Sequence, residues 1–320
     1  MEKARLQEAA NQGIIRNEQV DPLLTFLNKE ESTKEGTIGE EQLKFIRSFG
    51  DVFITLGIIF VVISLAQFKL EGYANFIPVG VLAITAEWLV RVRRLALPGI
   101  AILLSMLYFV SDIGGFKTAD ESLLTVGMMT AVAAAFYLRH KMPFSLWPIA
   151  AGVVGIVTTL LDIDLSDISI VFSAYGLSIF AVAMWFDVQD TERKTRLSDC
   201  AFWLHLLAAP LIVHGVMVTL LSQGGFDTPL REILIMTFFI GFFLLALYVD
   251  RRALLVSSAS YAIYAVIKLT DAYVFENITL LVFMAFGIFM VFFGTYWYKS
   301  RSLIFSRVAN NPISRFVPRI

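Results

Sequence analysis

The feature that most constrains this chain is a rhythm. Apolar runs of roughly 17–23 residues, the length a helix needs to cross about 30 Å of hydrocarbon, alternate with short polar connections. In lipid every backbone N–H and C=O must find its partner within the protein, and a helix does this inside one segment. Reading for such runs predicts helices at about 50–68, 72–90, 95–113, 122–138, 143–161, 167–186, 200–222, 231–249, 253–269 and 276–297. Composition agrees: 57% of residues are apolar, 17% are charged and the mean hydropathy is +0.72, against about 45–50% apolar and about 25% charged in a soluble domain. This excludes a soluble enzyme, a disordered chain and a disulfide scaffold. The single Cys200 rules out an internal disulfide, and its expected role is packing.

The connections alternate in character. Arg91, Arg93 and Arg94 follow the second run, and Arg139 and Lys141 the fourth. Arg193, Lys194 and Arg196 follow the sixth, Arg251 and Arg252 the eighth, Lys299 and Arg301 the tenth. Lys44 and Arg47 precede the first. The opposite connections carry Glu71, Asp120, Glu121, Asp162, Asp164, Asp167, Asp227 and Glu276. The positive-inside rule then places the basic side and both termini in the cytoplasm. An aromatic residue precedes each basic cluster (Trp88, Tyr137, Trp185, Tyr248, Trp297) and is expected at headgroup level. The expectation is an all-α polytopic membrane protein: a cytoplasmic helical module with linker over 1–47, a ten-helix domain over 48–298 and a basic tail over 299–320. Its ten helices read either as five tandem hairpins or as two five-helix halves of opposite topology.

No basic start, short apolar run and small-residue cleavage site is visible in residues 1–47, so the first span is expected to direct insertion itself. Residues 3–12 read as a short helix with Leu6, Ala9 and Ala10 inward, stopped by Gly13. Asp21-Pro22 reads as the start of a second. Residues 30–39 read as a linker, and Leu43, Phe45, Ile46 and Phe49 as an interfacial stretch. Some 30 residues are too few for an independent core, so a cap on the membrane domain and a docking module for a protein partner are the two readings. In the tail, Arg301, Arg307, Arg315 and Arg319 are candidate contacts for anionic lipid.

The stretch QGIIRNEQVDPLLTFL, followed by FGDVFITLGIIFVVISLAQF, resembles the start of the DUF2157 family of bacterial membrane proteins. The matching residues are Gly13, Ile14, Ile15, Glu18 and Gln19, then Leu56, Gly57 and Phe60. LLSMLYFVSDIGG is loosely similar to the family's third-span region. The resemblance covers about the first third of the chain. The tryptophan usual after the family's first span is replaced by Phe68 and Lys69. The resemblance implies a bacterial inner membrane and no particular chemistry.

Ionisable groups within the spans are costly and mark default site candidates. Glu87 precedes Arg91 by four residues, the favourable order for a helical ion pair. His205 and His214 are nine residues apart, on opposite sides of one helix with Pro210 between them, so they cannot share a metal. Tyr264 and Lys268 share a helix face near Asp271, with Asp112 at the same membrane side as a further partner for Lys268. No metal motif, cofactor motif, catalytic constellation or nucleic-acid-binding pattern is present in the sequence. Three classes follow: a carrier or flippase of a small solute or lipid-linked molecule, a non-catalytic scaffold or sensor acting through residues 1–40, and, least favoured, a membrane-embedded enzyme.

Overall fold

The computed structural model describes residues 2–34, 48–68, 70, 72–114, 118–163, 168–222, 230–270, 278–306 and 316–318. Every element among them is helical. The chain divides into two units, Met1–Gln42 and Leu43–Ile320.

The first unit is a helical pair, α1 (Glu2–Asn11) and α2 (Asn17–Lys34). Gly13 takes φ 73°, a left-handed conformation that ends α1 at no steric cost. Leu6, Ala9 and Ala10 are half-buried, Val20 is buried, and Gln7 Nε2 donates to Asn17 Oδ1 at 3.0 Å. Two expectations are corrected here. α2 begins at Asn17 and not at Asp21, because Gln19 Oε1 accepts the Arg16 N–H at 2.9 Å and fixes the earlier start. Pro22, inside the helix, then forfeits only one backbone bond. The helix also runs into the expected linker as far as Lys34, since no breaker precedes Gly36. The expected interfacial residues Leu43, Phe45 and Ile46 lie outside the described residues.

The second unit holds α3 (Phe49–Ala66), α4 (Phe76–Ala86), α5 (Ala96–Gly114), α6 (Ala119–His140), α7 (Leu146–Leu160), α8 (Ile168–Gln189), α9 (Arg196–Ser222), α10 (Leu230–Val249), α11 (Ala253–Thr270) and α12 (Ile278–Phe305). Short 3-10 turns lead into α4 and α7, and α4 continues as a π turn over Glu87–Val92. Among the described residues nine helical segments are long and apolar enough to cross a membrane, and α11 adds the shorter apolar stretch Ser258–Ile267. These helices leave large apolar side chains uncovered, among them Phe60 and Val61 on α3 and Leu280 and Val291 on α12. Water does not tolerate contiguous apolar surface on this scale, and a lipid bilayer does.

Two cores form inside this unit. One gathers α4, α5 and α6 around Leu82, Ile102, Leu103 and Phe136. The other gathers α8 to α12 around Leu207, Val213, Phe243, Leu247 and Trp297. Trp147 of α7 packs against both. Close helix approach depends on glycine. A Cβ on Gly152 would lie 2.0 Å from Thr130 Oγ1, so the missing side chain lets α6 and α7 meet closely there. The tightest seam, α8 against α9, rests on Gly176 and Gly215. A Cβ on Gly215 would lie 2.5 Å from the Ser169 carbonyl oxygen, and one on Gly176 2.7 Å from the Ile212 backbone nitrogen.

At the basic end four turns share one device. Arg94, Lys141, Arg193 and Asp250 each adopt a left-handed conformation, with φ between 52° and 60°, directly after the helix that precedes each basic cluster. This folds the chain back sharply and lets the last carbonyls of the helix find donors. The final helix departs from expectation. α12 runs to Phe305, past the expected end at 297, and bends at Tyr296 (φ −107°, ψ 24°). Trp297, next to the bend, is buried inside the protein and does not face lipid.

Candidate functional site

The sequence separates His205 from His214 by half a turn of helix, and the structure gives them different company. His205, on α9, is 0% exposed, and its Nε2 lies 2.8 Å from Asp187 Oδ2 on α8. Arg251, at the entry to α11, closes on the same carboxylate: Nε donates to Oδ2 at 3.1 Å and Nη2 donates to Oδ1. The guanidinium also donates to the Ser198 carbonyl at 3.2 Å and hydroxyl at 3.3 Å. Asp187 and Arg251 are 2% and 1% exposed. Three helices are thus fastened at their basic ends by one buried carboxylate. Desolvating each charge costs several kcal/mol, so the arrangement stands only because every charge has a partner.

A second buried pair lies beside it. Arg193 Nη1 is 3.0 Å from Asp250 Oδ2, and Trp297 Nε1 donates to Asp250 Oδ1 at 2.6 Å. Arg301 was expected at the lipid surface. It is instead 3% exposed, donating to the carbonyls of Leu247 (3.0 Å), Tyr248 (3.2 Å) and Pro318 (2.6 Å). The last carbonyls of α10 lack helical partners, and Arg301 supplies them. Arg307, Arg315 and Arg319 lie outside the described residues. Past the end of α8, Asp190 accepts from the Lys194 N–H (3.0 Å), the Thr195 N–H (2.8 Å) and the Thr195 hydroxyl (2.7 Å). Burial alone would push its carboxyl up; these donors outweigh it and hold the group below the usual carboxylate range.

The remaining candidates are dispersed. Glu87 makes the expected bond to Arg91, at 3.3 Å, but its stronger partner is Arg139 of α6, which forks it at 2.6 and 3.0 Å. All three side chains are well exposed. The third histidine, His140, brings Nε2 to 4.0 Å from Glu87 Oε1. His214 is exposed, and its Nδ1 meets the Tyr261 hydroxyl of α11 at 2.5 Å. Asp112 accepts from Asn75 Nδ2 at 3.1 Å. Tyr264 is 36% exposed. Asp271 and the Lys268 side chain lie outside the described residues. α9 runs unbroken through Pro210.

Sequence reasoning missed Asp187, Ser198, Asp250 and His140, and also Glu232. Glu232 is 0% exposed on α10; Arg231 Nη2 donates to its Oε1 at 2.7 Å, while Oε2 has no partner among the described residues. A usable signal was there: Asp187, Asp190 and Asp250 are acids standing among basic clusters on the cation-rich side. Two cavities lie within the second unit. One of about 450 Å³ lies between α5, α6 and α7, against Leu107, Met129 and Gly152. One of about 180 Å³ lies between α10, α11 and α12. Both are lined almost entirely by apolar side chains. No family model, curated protein or solved structure matches the chain.

Proposed function

We propose that this chain is a multi-spanning carrier or flippase for a small solute or lipid-linked molecule. It crosses a bacterial inner membrane ten times with both termini cytoplasmic, and Asp187, His205 and Arg251 form its cytoplasmic gate. The carrying observation is that layer of charge, withdrawn from solvent where α8, α9 and α11 converge. A bundle that only needed sealing would be sealed more cheaply by apolar side chains. Charges inside a spanning domain are the mark of a pathway, because they can be wetted and re-paired when the helices part. The apolar cavity between α10, α11 and α12, walled by the same Trp297 that bonds Asp250, favours an amphipathic cargo over a strongly polar one. The alternation of basic and acidic connections supports the orientation, and the residues from Gly13 to Phe60 support kinship with the DUF2157 family.

The test is reconstitution into liposomes carrying phosphatidylglycerol with an NBD-labelled headgroup, bleached by external dithionite. Bleaching well beyond the outer-leaflet half, lost in Asp187→Ala protein that still inserts, is the expected result. Bleaching equal to that of protein-free liposomes sinks the flippase. Orientation is checked in a Cys200→Ser background with Thr118→Cys or Thr191→Cys. An impermeant maleimide added to intact cells should label the first and spare the second. The competing reading, a non-catalytic scaffold or sensor, is favoured by the separate compactness of Met1–Gln42. It predicts that deleting residues 1–40 abolishes function and that the gate variants are silent.

A further inference from the structure

Arg252 is half-buried at the basic end of the second core, yet no carboxylate or carbonyl among the described residues takes its charge. Arg193, Arg251 and Arg301 give their donors to carboxylates or carbonyls. Arg252 does not. Its guanidinium sits 5.4 Å from the Trp297 ring and 5.5 Å from the Tyr298 ring, and among the described residues no carboxylate pairs with it. Stacking engages the face of the guanidinium and leaves its N–H edge available, the geometry that takes a phosphate in two parallel bonds. Arg252 also immediately precedes Ala253, the first residue of α11, so the partial positive charge of that helix end adds to its own.

The same side chain lines the mouth of the 180 Å³ cavity, whose walls include Phe239, Phe289, Phe293, Gly294 and Trp297. This is below the roughly 300–1,000 Å³ of a site for a whole drug-sized molecule. From Trp297 back to Phe286 along α12 the lining covers about 16 Å at 1.5 Å per residue, close to one leaflet, half of about 30 Å. A Cβ on Gly294 would meet nothing within 4 Å, so the space there is open.

We propose that Arg252 and this slot bind one anionic glycerophospholipid, the phosphate on the guanidinium and one acyl chain among the phenylalanines. The site rests on the membrane-spanning reading and asserts binding, not transport. The measurement is native mass spectrometry of the full chain in detergent, titrated with phosphatidylglycerol, phosphatidylcholine or glycerol 3-phosphate. Phosphatidylglycerol should bind at least about tenfold more tightly than phosphatidylcholine, and Arg252→Gln should erase that preference. Gly294→Leu, which adds a side chain to the slot wall at a position where the Cβ meets no atom within 4 Å, should weaken both lipids while the melting temperature stays near that of the parent. Equal binding of the two lipids, a preference that survives Arg252→Gln, or lipid binding unchanged by Gly294→Leu would overturn the proposal. So would glycerol 3-phosphate competing as well as the lipid, which would mark a phosphate site without a chain. A protein that fails the flip assay yet keeps the Arg252-dependent preference loses the proposed function and retains this site.

Discussion

At the basic end of the first core, Glu87 is forked by Arg139 with much of all the participating side chains in solvent. At the basic end of the second, Asp187 is held by Arg251 and His205 with almost none. Both regions present an aromatic residue, a tight left-handed turn and a run of arginines. What differs is burial. At the second end Asp187, Asp250, Arg251, Trp297 and Arg301 are all buried. α4 instead ends in a π turn with its charges spread on the surface. The same local chemistry is a solvated fork in one place and a dry fastening in the other. Its energetic weight follows burial, since exposed pairs contribute little and a broken buried pair leaves an uncompensated charge.

The largest expected effect tests that contrast directly. Asp187→Ala leaves Arg251 buried without a counter-charge and should destabilise the folded state by about 3–5 kcal/mol. In a thermal melt in detergent its midpoint should fall far further than that of Glu87→Ala. Replacing the partners together, as Asp187→Leu with Arg251→Met and His205→Phe, should recover much of the loss, because no orphan charge remains. If Glu87→Ala proves equally damaging, burial is not what separates the two ends.

Next in size is the glycine seam of α8 and α9, in the half of the helices away from the charged layer. Gly215→Ala drives a methyl against the Ser169 carbonyl and should cost about 1–3 kcal/mol. Gly152→Ala meets mainly the Thr130 hydroxyl, which can rotate away. A smaller loss at Gly152 than at Gly215 is expected from the same melts. The reverse order would mean that the α8–α9 contact is looser than the α6–α7 contact.

The spans and the alternation of charge were legible because each is local: hydropathy over one helix, or the sign of one connection. A helix stands at each of the ten runs, nine of them long and apolar enough to cross a membrane among the described residues, and Gly13 and the Glu87–Arg91 bond were readable within a few residues. The buried layer was not. Asp187 and Arg251 are 64 residues apart, and Arg193 and Asp250 57. Nothing in the periodicity of either segment announces the other. Arginines after a span satisfy the positive-inside rule whether they face headgroups or turn inward, so Arg251 and Arg301 read as surface charge. The half-turn offset of the two histidines was sound geometry, and it separated His205 from His214 without naming either partner.

A smaller effect probes the second core away from its charged end. Tyr261→Phe removes the hydroxyl that meets His214 Nδ1 across α9 and α11. The ring stays in place, so the loss should be about 1 kcal/mol. His214→Phe should cost no more than that, and the double variant should show the coupling. A cost at Tyr261 approaching that of Asp187→Ala would shift the main fastening from the basic end to this mid-helix bond.

The smallest effect is a dependence on pH at the edge of the buried layer. Asp190 lies past α8, and its carboxyl is held below the usual range by the donors of Lys194 and Thr195. A group with a depressed folded pKa stabilises the protein above its unfolded value, about 4 for aspartate, and that stabilisation is lost as pH falls through the folded value. Asp190→Asn keeps the shape and lacks the charge. The melting gap between parent and variant should therefore be fully open at pH 6 and narrow steadily below about pH 4. Glu87 cannot mask this, because it is present in both proteins. A gap constant down to pH 3 would show that the amide acts by misplacing the Thr195 hydrogen bonds, and that the charge on Asp190 contributes nothing to closing the turn.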